Sequence, residues 1–134
     1  MNNDAHGDVS KRRTVLLVDD EKMVLEVGKA ILQRLGHHVI TALSGEKAVE
    51  EFARHGEAIG CVVLDLTMPV MDGKATFNRL RELRPEIPVI IASGLAVDQV
   101  ISQFGDTPPS SVIQKPYQIA DLSEKIESIL SDRP

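Results

Sequence analysis

Along the chain, five short apolar runs alternate with five longer stretches whose apolar residues recur at helical spacing. The short runs are Thr14 to Val18, His38 to Ala42, Cys61 to Leu64, Pro88 to Ala92 and Val112 to Gln114. They are too short for typical helices and rich in β-branched residues, which is how strands buried on both faces read. The first helix is expected to point Val24, Leu25, Gly28, Ile31, Leu32 and Leu35 inward, with Asp20 as its cap and Gly36 ending it. Ser44-Gly45-Glu46 starts a second helix with Ala48, Val49 and Phe52 inward, and His55 near its end suits the dipole there. The third runs from Gly73 to Arg84 with Phe77, Leu80 and Leu83 on one side, closed by Arg84-Pro85. A weaker fourth, Leu95 to Phe104, turns Ala96, Val100, Ile101 and Phe104 inward and stops at Gly105. The fifth, Ile119 to Leu130, carries Ile119, Leu122, Ile126 and Ile129 on one face. Strand–helix alternation of this kind implies an α/β fold, a parallel sheet covered on both faces with right-handed crossovers.

The carboxyl ends of the strands carry the candidate chemistry. The first ends in Asp19-Asp20, the third in Asp65, the fourth in Ser93 and the fifth in Lys115. In a parallel sheet these ends share one edge, where ligands and chemistry gather. Asp65 alone would read as a strand-ending cap, since Met68-Pro69 stops ladder pairing and Asp72-Gly73 supplies a turn. Beside Asp19 and Asp20 it reads differently. Three crowded carboxylates repel one another, and at least one should hold its proton more tightly unless a cation intervenes. Hard oxygen ligands in small number suit Mg²⁺. Lys115 adds a compact positive charge and Ser93 a hydroxyl donor, a pairing suited to an anion with several oxygens. Together these are the parts needed to form an aspartyl phosphate.

Composition narrows the alternatives. The 134 residues amount to one domain, and a net charge of −5 with no basic stripe argues against a nucleic-acid binder. No apolar run approaches a membrane span and no secretory leader is read, so a cytoplasmic location is expected. The lone Cys61 lies inside a strand and reads as a core residue. His37 and His38 read as surface and turn residues, unable to chelate one metal together. Residues 1–13 are polar and read as a flexible tail, with the domain proper over 14–131.

These motifs, Val18-Asp19-Asp20-Glu21, Leu64-Asp65-Leu66-Thr67-Met68-Pro69 with Met71-Asp72-Gly73, Ala92-Ser93-Gly94 and Lys115-Pro116-Tyr117, resemble the receiver domain of two-component response regulators over Thr14 to Leu130. The resemblance implies a flavodoxin-like, doubly wound (βα)5 three-layer sandwich with strand order 2-1-3-4-5. It implies a phosphoacceptor at Asp65, with Mg²⁺ (Mn²⁺ as substitute) held by Asp20, Asp65 and the backbone carbonyl of Thr67, and by Asp19 through a water. Ser93 and Lys115 would contact the phosphoryl oxygens, and the Lys115-Pro116 bond would be cis. The implied partners are a sensor histidine kinase or a histidine phosphotransfer protein, acting on a monomer or weak dimer that is a signalling phosphoacceptor and not an enzyme. Its output surface would be the fourth helix, fifth strand and fifth helix. Two departures stand out. Val112 occupies the position, three before the lysine, where the family usually carries Tyr or Phe as a rotating gate, and Pro108-Pro109 marks an unusual loop. The wording of the motifs is closer to receivers attached to hybrid sensor kinases than to those fused to DNA-binding domains.

Rival readings fare worse. An aspartyl-phosphate phosphohydrolase places its nucleophile after the first strand with a second acid two positions on, whereas Asp19 and Asp20 are adjacent and Thr67 follows Asp65 by two. A flavin binder wants a Ser, Thr and Gly-rich loop after the first strand, where an acidic triplet stands. An interaction module acting without phosphorylation is the remaining alternative, and it leaves the filled acidic, hydroxyl and lysine positions unused.

Overall fold

The computed structural model describes residues 13–68 and 72–131. The expected tail before Arg13, and Pro69 and Met71 of the motif after the third strand, lie outside the described residues. The elements in order are β1 (Thr14–Val18), α1 (Lys22–Arg34), β2 (His38–Ala42), α2 (Gly45–His55), β3 (Ile59–Asp65), α3 (Gly73–Leu83), β4 (Val89–Ser93), α4 (Val97–Ser102), β5 (Ser111–Gln114) and α5 (Ile119–Ser131). All strand pairings are parallel, in the order β2-β1-β3-β4-β5. Alternating Cβ directions send successive strand residues to opposite faces. Leu16, Val18, Val62, Leu64, Val89 and Ile91 therefore meet Phe52 of α2, Phe77 and Leu80 of α3 and Val100 of α4. Their neighbours Val15, Leu17, Cys61, Val63 and Ile90 meet Leu25 and Leu32 of α1 and Leu122 and Ile126 of α5. The sheet is thus a wall between two dry layers, and Cys61 belongs to one of them.

Helix ends depart from the periodic reading for local reasons. Leu35, Leu83 and Ile101 are 51%, 42% and 44% exposed, although helical period points each of them inward. Leu35 and Leu83 lie where their helices stop and the chain turns away, so period no longer dictates direction. α4 is only six residues long, too short for Ala96 and Ile101 to share a buried stripe, and Phe104 reaches the core from the turn beyond it. α5 seals its last turn with Leu130, leaving Ile129 half-buried. Asp20 does not cap α1: Glu21 occupies the cap position without a side-chain bond, while Asp19 Oδ1 accepts from the Glu21 N–H at 2.9 Å. Ser44 and Asp72 do cap α2 and α3, accepting from Lys47 N and Ala75 N.

His37 is the largest correction. It is buried, with Nε2 at 3.3 Å from Ser123 Oγ and 3.4 Å from Glu127 Oε2, both on α5. Gly36, at φ 99°, swings the chain into a left-handed turn that no side-chain period records, and the ring is carried inward by it. His38 stays exposed. At the same end of the sheet, the Arg84 guanidinium stacks 5.3 Å over the Phe52 ring and donates to the carbonyls of Gly56 and Ile59, tying the start of β3 to α2.

Candidate functional site

Register decides what meets at the opposite end. Val18 pairs with Leu64, Asp65 with Ala92, and Ser93 with Gln114. At or just beyond these terminal pairs, Asp19, Asp65, Ser93 and Lys115 come to a single edge. The loops that hold them there are bonded to strands. Asp19 N donates to Ala42 O at 3.2 Å, Leu66 N to Ala92 O at 2.9 Å, and Lys115 N to Ser93 O at 2.7 Å. The Lys115–Pro116 peptide bond is cis.

One carboxylate oxygen from each of Asp19, Asp20 and Asp65 lies within 4.8 Å of the others. Asp19 and Asp65 are buried and Asp20 is exposed, so the cluster opens to solvent on one side. Lys115 Nζ stands 2.9 Å from Asp19 Oδ2 and 3.6 Å from Asp65 Oδ1. Thr67 N donates to Asp65 Oδ1 at 3.3 Å, which fixes the carboxylate's orientation. Ser93 is buried and its Oγ accepts from Leu95 N at 3.1 Å. A hydroxyl both accepts and donates, so its own hydrogen stays available. Val112 is half-buried against the core layer that holds Phe77 and Phe104.

The charges bear on one another strongly. Burial pushes the Asp65 carboxyl above its ordinary value, and the charges of Asp19 and Asp20 push the same way. Lys115 and the Thr67 N–H oppose this without cancelling it. Burial works against the Lys115 ammonium, yet its bond to Asp19 and the charges of Asp65 and Asp19 outweigh that, so it holds its proton more tightly than usual. The donor set is all hard oxygen, carries an excess of negative charge, and faces solvent through Asp20. It fits a small divalent cation that keeps several waters.

Such a cation would bind the folded chain preferentially, because only folding brings these oxygens together. Millimolar Mg²⁺ is therefore expected to raise the melting temperature, by roughly 1–3 kcal/mol of stabilisation at about ten to a hundred times the dissociation constant. Asp20→Ala should lose most of that response and melt higher than wild type in EDTA. A wild-type melt indifferent to Mg²⁺ would speak against a formed site.

Beside the cluster lies a groove of about 580 Å³ lined by Glu21, Met23, Val27, Lys115, Tyr117 and Ile119, among others. Strand and helix periods alone do not reveal it. Its trace in the sequence is Met23 and Val27, one turn apart on α1 and off the buried stripe, 72% and 50% exposed.

Comparisons with known proteins identify the family and the fold. The family model described as the response regulator receiver domain matches residues 15–127. The sensor kinase CckA of Brucella abortus is 34% identical over 123 residues, 92% of this chain but 13% of the kinase. Response regulator RR06 of Streptococcus pneumoniae is 34% identical over 118 residues, 87% of this chain and 52% of that protein. The chain thus spans from an eighth to about half the length of these curated relatives. Among solved structures, a response regulator receiver domain protein from Clostridium thermocellum superposes with TM-score 0.81 at 26% identity, covering 89% of this chain and 94% of that one. A chain of the CheX–CheY–BeF3–Mg²⁺ complex from Borrelia burgdorferi gives TM-score 0.80 at 30% identity, with 87% and 88% covered. Among the described residues, no helix is long and apolar enough to cross a membrane.

Proposed function

This chain belongs to the response regulator receiver domain family of two-component signalling, and from that premise we propose that Asp65 accepts a phosphoryl group from the histidine of a sensor kinase or phosphotransfer protein. The observation that carries the proposal is the meeting of Asp65 with Lys115, Asp19 and Asp20 at one sheet edge, within ion-pair distances. A carboxylate oxygen of Asp65 would attack phosphorus as the bond to the donor imidazole nitrogen breaks, the bonding pair leaving with that nitrogen. Lys115 would neutralise charge on the phosphoryl oxygens, and the Ser93 hydroxyl would donate its hydrogen to one of them. The Thr67 N–H orients the attacking carboxylate. Asp19, Asp20 and Asp65, with the Thr67 carbonyl, would hold Mg²⁺, which when bound offsets negative charge between carboxylates and phosphoryl group. The groove along α1 and the loop after β5 supports a docking place for the donor protein, since its apolar lining adjoins Lys115. Receivers of this kind are signalling phosphoacceptors; the wider protein, the cognate kinase, and Mn²⁺ as a substitute metal remain part of this proposal.

The test is direct. Wild type treated with a small acyl phosphate and Mg²⁺ should gain the mass of one phosphoryl group, and in EDTA it should gain none. A chain that takes up no phosphoryl group under either condition rejects the reading.

Val112 determines the output route. Valine is β-branched and stiff at χ1, so it cannot swing as an aromatic gate does. Ser93, in contrast, is already bonded to Leu95, ahead of the short α4. A phosphoryl mimic is therefore expected to perturb the amides from Gly94 to Gly105 more than those of β5. Ser93→Ala should abolish the difference, and Val112→Tyr should extend the response into β5. Equal perturbation of β5 in wild type, with no effect of Val112→Tyr, would overturn this route.

A further inference from the structure

Gly73 opens α3, and its surroundings ask more of it than a turn would. Its φ lies outside the positive range that favours glycine, so backbone conformation alone would admit another residue. Space does not. A Cβ at this position would sit 2.5 Å from the Asp65 carbonyl oxygen, 2.5 Å from Leu66 Cα and 2.7 Å from Leu66 O. All three are backbone atoms, with no flexible side chain to give way. The first turn of α3 is therefore pressed directly against the peptide that joins Asp65 to Leu66.

That contact is braced from both sides. Gly73 N donates to Leu66 O at 2.9 Å, and Leu66 N is bonded to β4 through Ala92 O at 2.9 Å. Behind Gly73, Asp72 Oδ1 caps Ala75 N at 2.9 Å and Thr76 Oγ1 donates to Asp72 O at 2.8 Å. Phe77 and Leu80, fully buried, keep the helix from retreating. Functional groups hold their geometry only when the residues beneath them are locked. Between an immovable helix and a strand end, the segment left to yield is the one carrying Asp65, Leu66 and Thr67.

We propose that Gly73 is a positioning residue for the acidic site: its bare Cα lets α3 buttress the Asp65–Leu66 peptide and so sets where the Asp65 carboxylate and the Thr67 backbone stand. The proposal rests on the reading of Asp65 as phosphoacceptor only for the measurement of phosphoryl uptake. Gly56 provides a matched control at the other end of the sheet, because a Cβ there would stand 2.8 Å from backbone, the Phe52 carbonyl oxygen, far from the acids.

The experiment compares wild type, Gly73→Ala and Gly56→Ala by thermal melting in EDTA, by Mg²⁺ titration followed through amide shifts, and by the rate of phosphoryl uptake from a small acyl phosphate. Gly73→Ala is expected to raise the Mg²⁺ dissociation constant at least tenfold and to slow uptake by a similar factor. Gly56→Ala should lose melting temperature yet keep the wild-type Mg²⁺ affinity. Wild-type affinity in Gly73→Ala, or an equal loss in Gly56→Ala, overturns the proposal. If Gly73→Ala does not fold, Asp72→Ala loosens the same turn without adding an atom, and Asp72→Asn keeps the cap while removing the charge. The dissociation constant should then rise severalfold more in Asp72→Ala than in Asp72→Asn, and no difference between them overturns the assignment. Should wild type take up no phosphoryl group at all, the Asp65 reading falls while the Mg²⁺ titration still decides the role of Gly73.

Discussion

Asp65→Asn is expected to move reactivity and stability in opposite directions. Phosphoryl uptake should fall from one group per chain to none, because the amide lacks the nucleophilic oxygen and no neighbouring acid stands in its place. Asp19 is engaged with Lys115 at 2.9 Å and with the Glu21 N–H. In EDTA the same variant should melt above wild type at neutral pH. The reason is linkage. The folded state holds the Asp65 proton more tightly than the unfolded chain, whose value is the ordinary 3.8. Raising pH from below 3.8 through the raised folded value therefore removes stability from wild type, and an uncharged Asn escapes that loss. The gap between variant and wild type should be present at neutral pH and close as pH falls through that window. Mass spectrometry reads the first effect and melts at several pH values the second. Label persisting in Asp65→Asn would move the phosphoacceptor elsewhere, and a gap that widened in acid would contradict the charge crowding.

Lys115→Met is expected to produce the second largest change. The ammonium lies between two buried carboxylates, and removing it leaves them facing each other without a cation. A fully buried pair broken in this way costs more than an exposed one, and Lys115 keeps 25% of its side-chain surface. The loss should be about 2 kcal/mol in EDTA at neutral pH. The sign is set by the raised folded value of Lys115. Its contribution is fully present below the ordinary 10.5 and disappears only as pH rises through the higher folded value. Phosphoryl uptake should slow by about a hundredfold, the usual effect of removing one preorganised charge stabiliser. Mg²⁺ affinity should rise at the same time, since a competing cation has gone. Slower chemistry with tighter metal binding separates a role on the phosphoryl oxygens from a merely supporting one. A variant as fast as wild type would remove Lys115 from the reaction.

The strands were easy to read because parallel strands buried on both faces show as unbroken apolar runs, and Thr14 to Val18 needed no context beyond that. The acids and the lysine were legible for a related reason: each comes directly after such a run, so strand end and site residue are one signal. Helix termini were not. Leu35 and Leu83 keep helical period to the last turn, and only the direction of the following chain turns them outward. His37 was illegible, since its partner Ser123 lies 86 positions away and a left-handed turn at Gly36 resets the side-chain directions. The ion pairs of Lys115 with Asp19 and Asp65 could be expected only in part, because adjacency to a strand end gives the edge and not the partner. The need for glycine at position 73 was hidden for a different reason. Close approach between two backbones leaves no compositional trace.

The span of the Lys115–Asp19 bond, 96 positions, makes competence a late event in the life of the chain. Synthesis delivers Asp19, Asp20 and Asp65 long before the lysine that balances them, and that lysine arrives just after β5, a four-residue strand at the sheet's outer edge. Until that edge docks, Asp19 and Asp65 lack the one cation that ion-pairs with them among the described residues. The same edge is held on one side only, through its pairing with β4. Peeling it away would take Lys115 from the acids while the other four strands still stood. Phosphoryl uptake at Asp65, as proposed, would thus require the whole sheet to be assembled, β5 included.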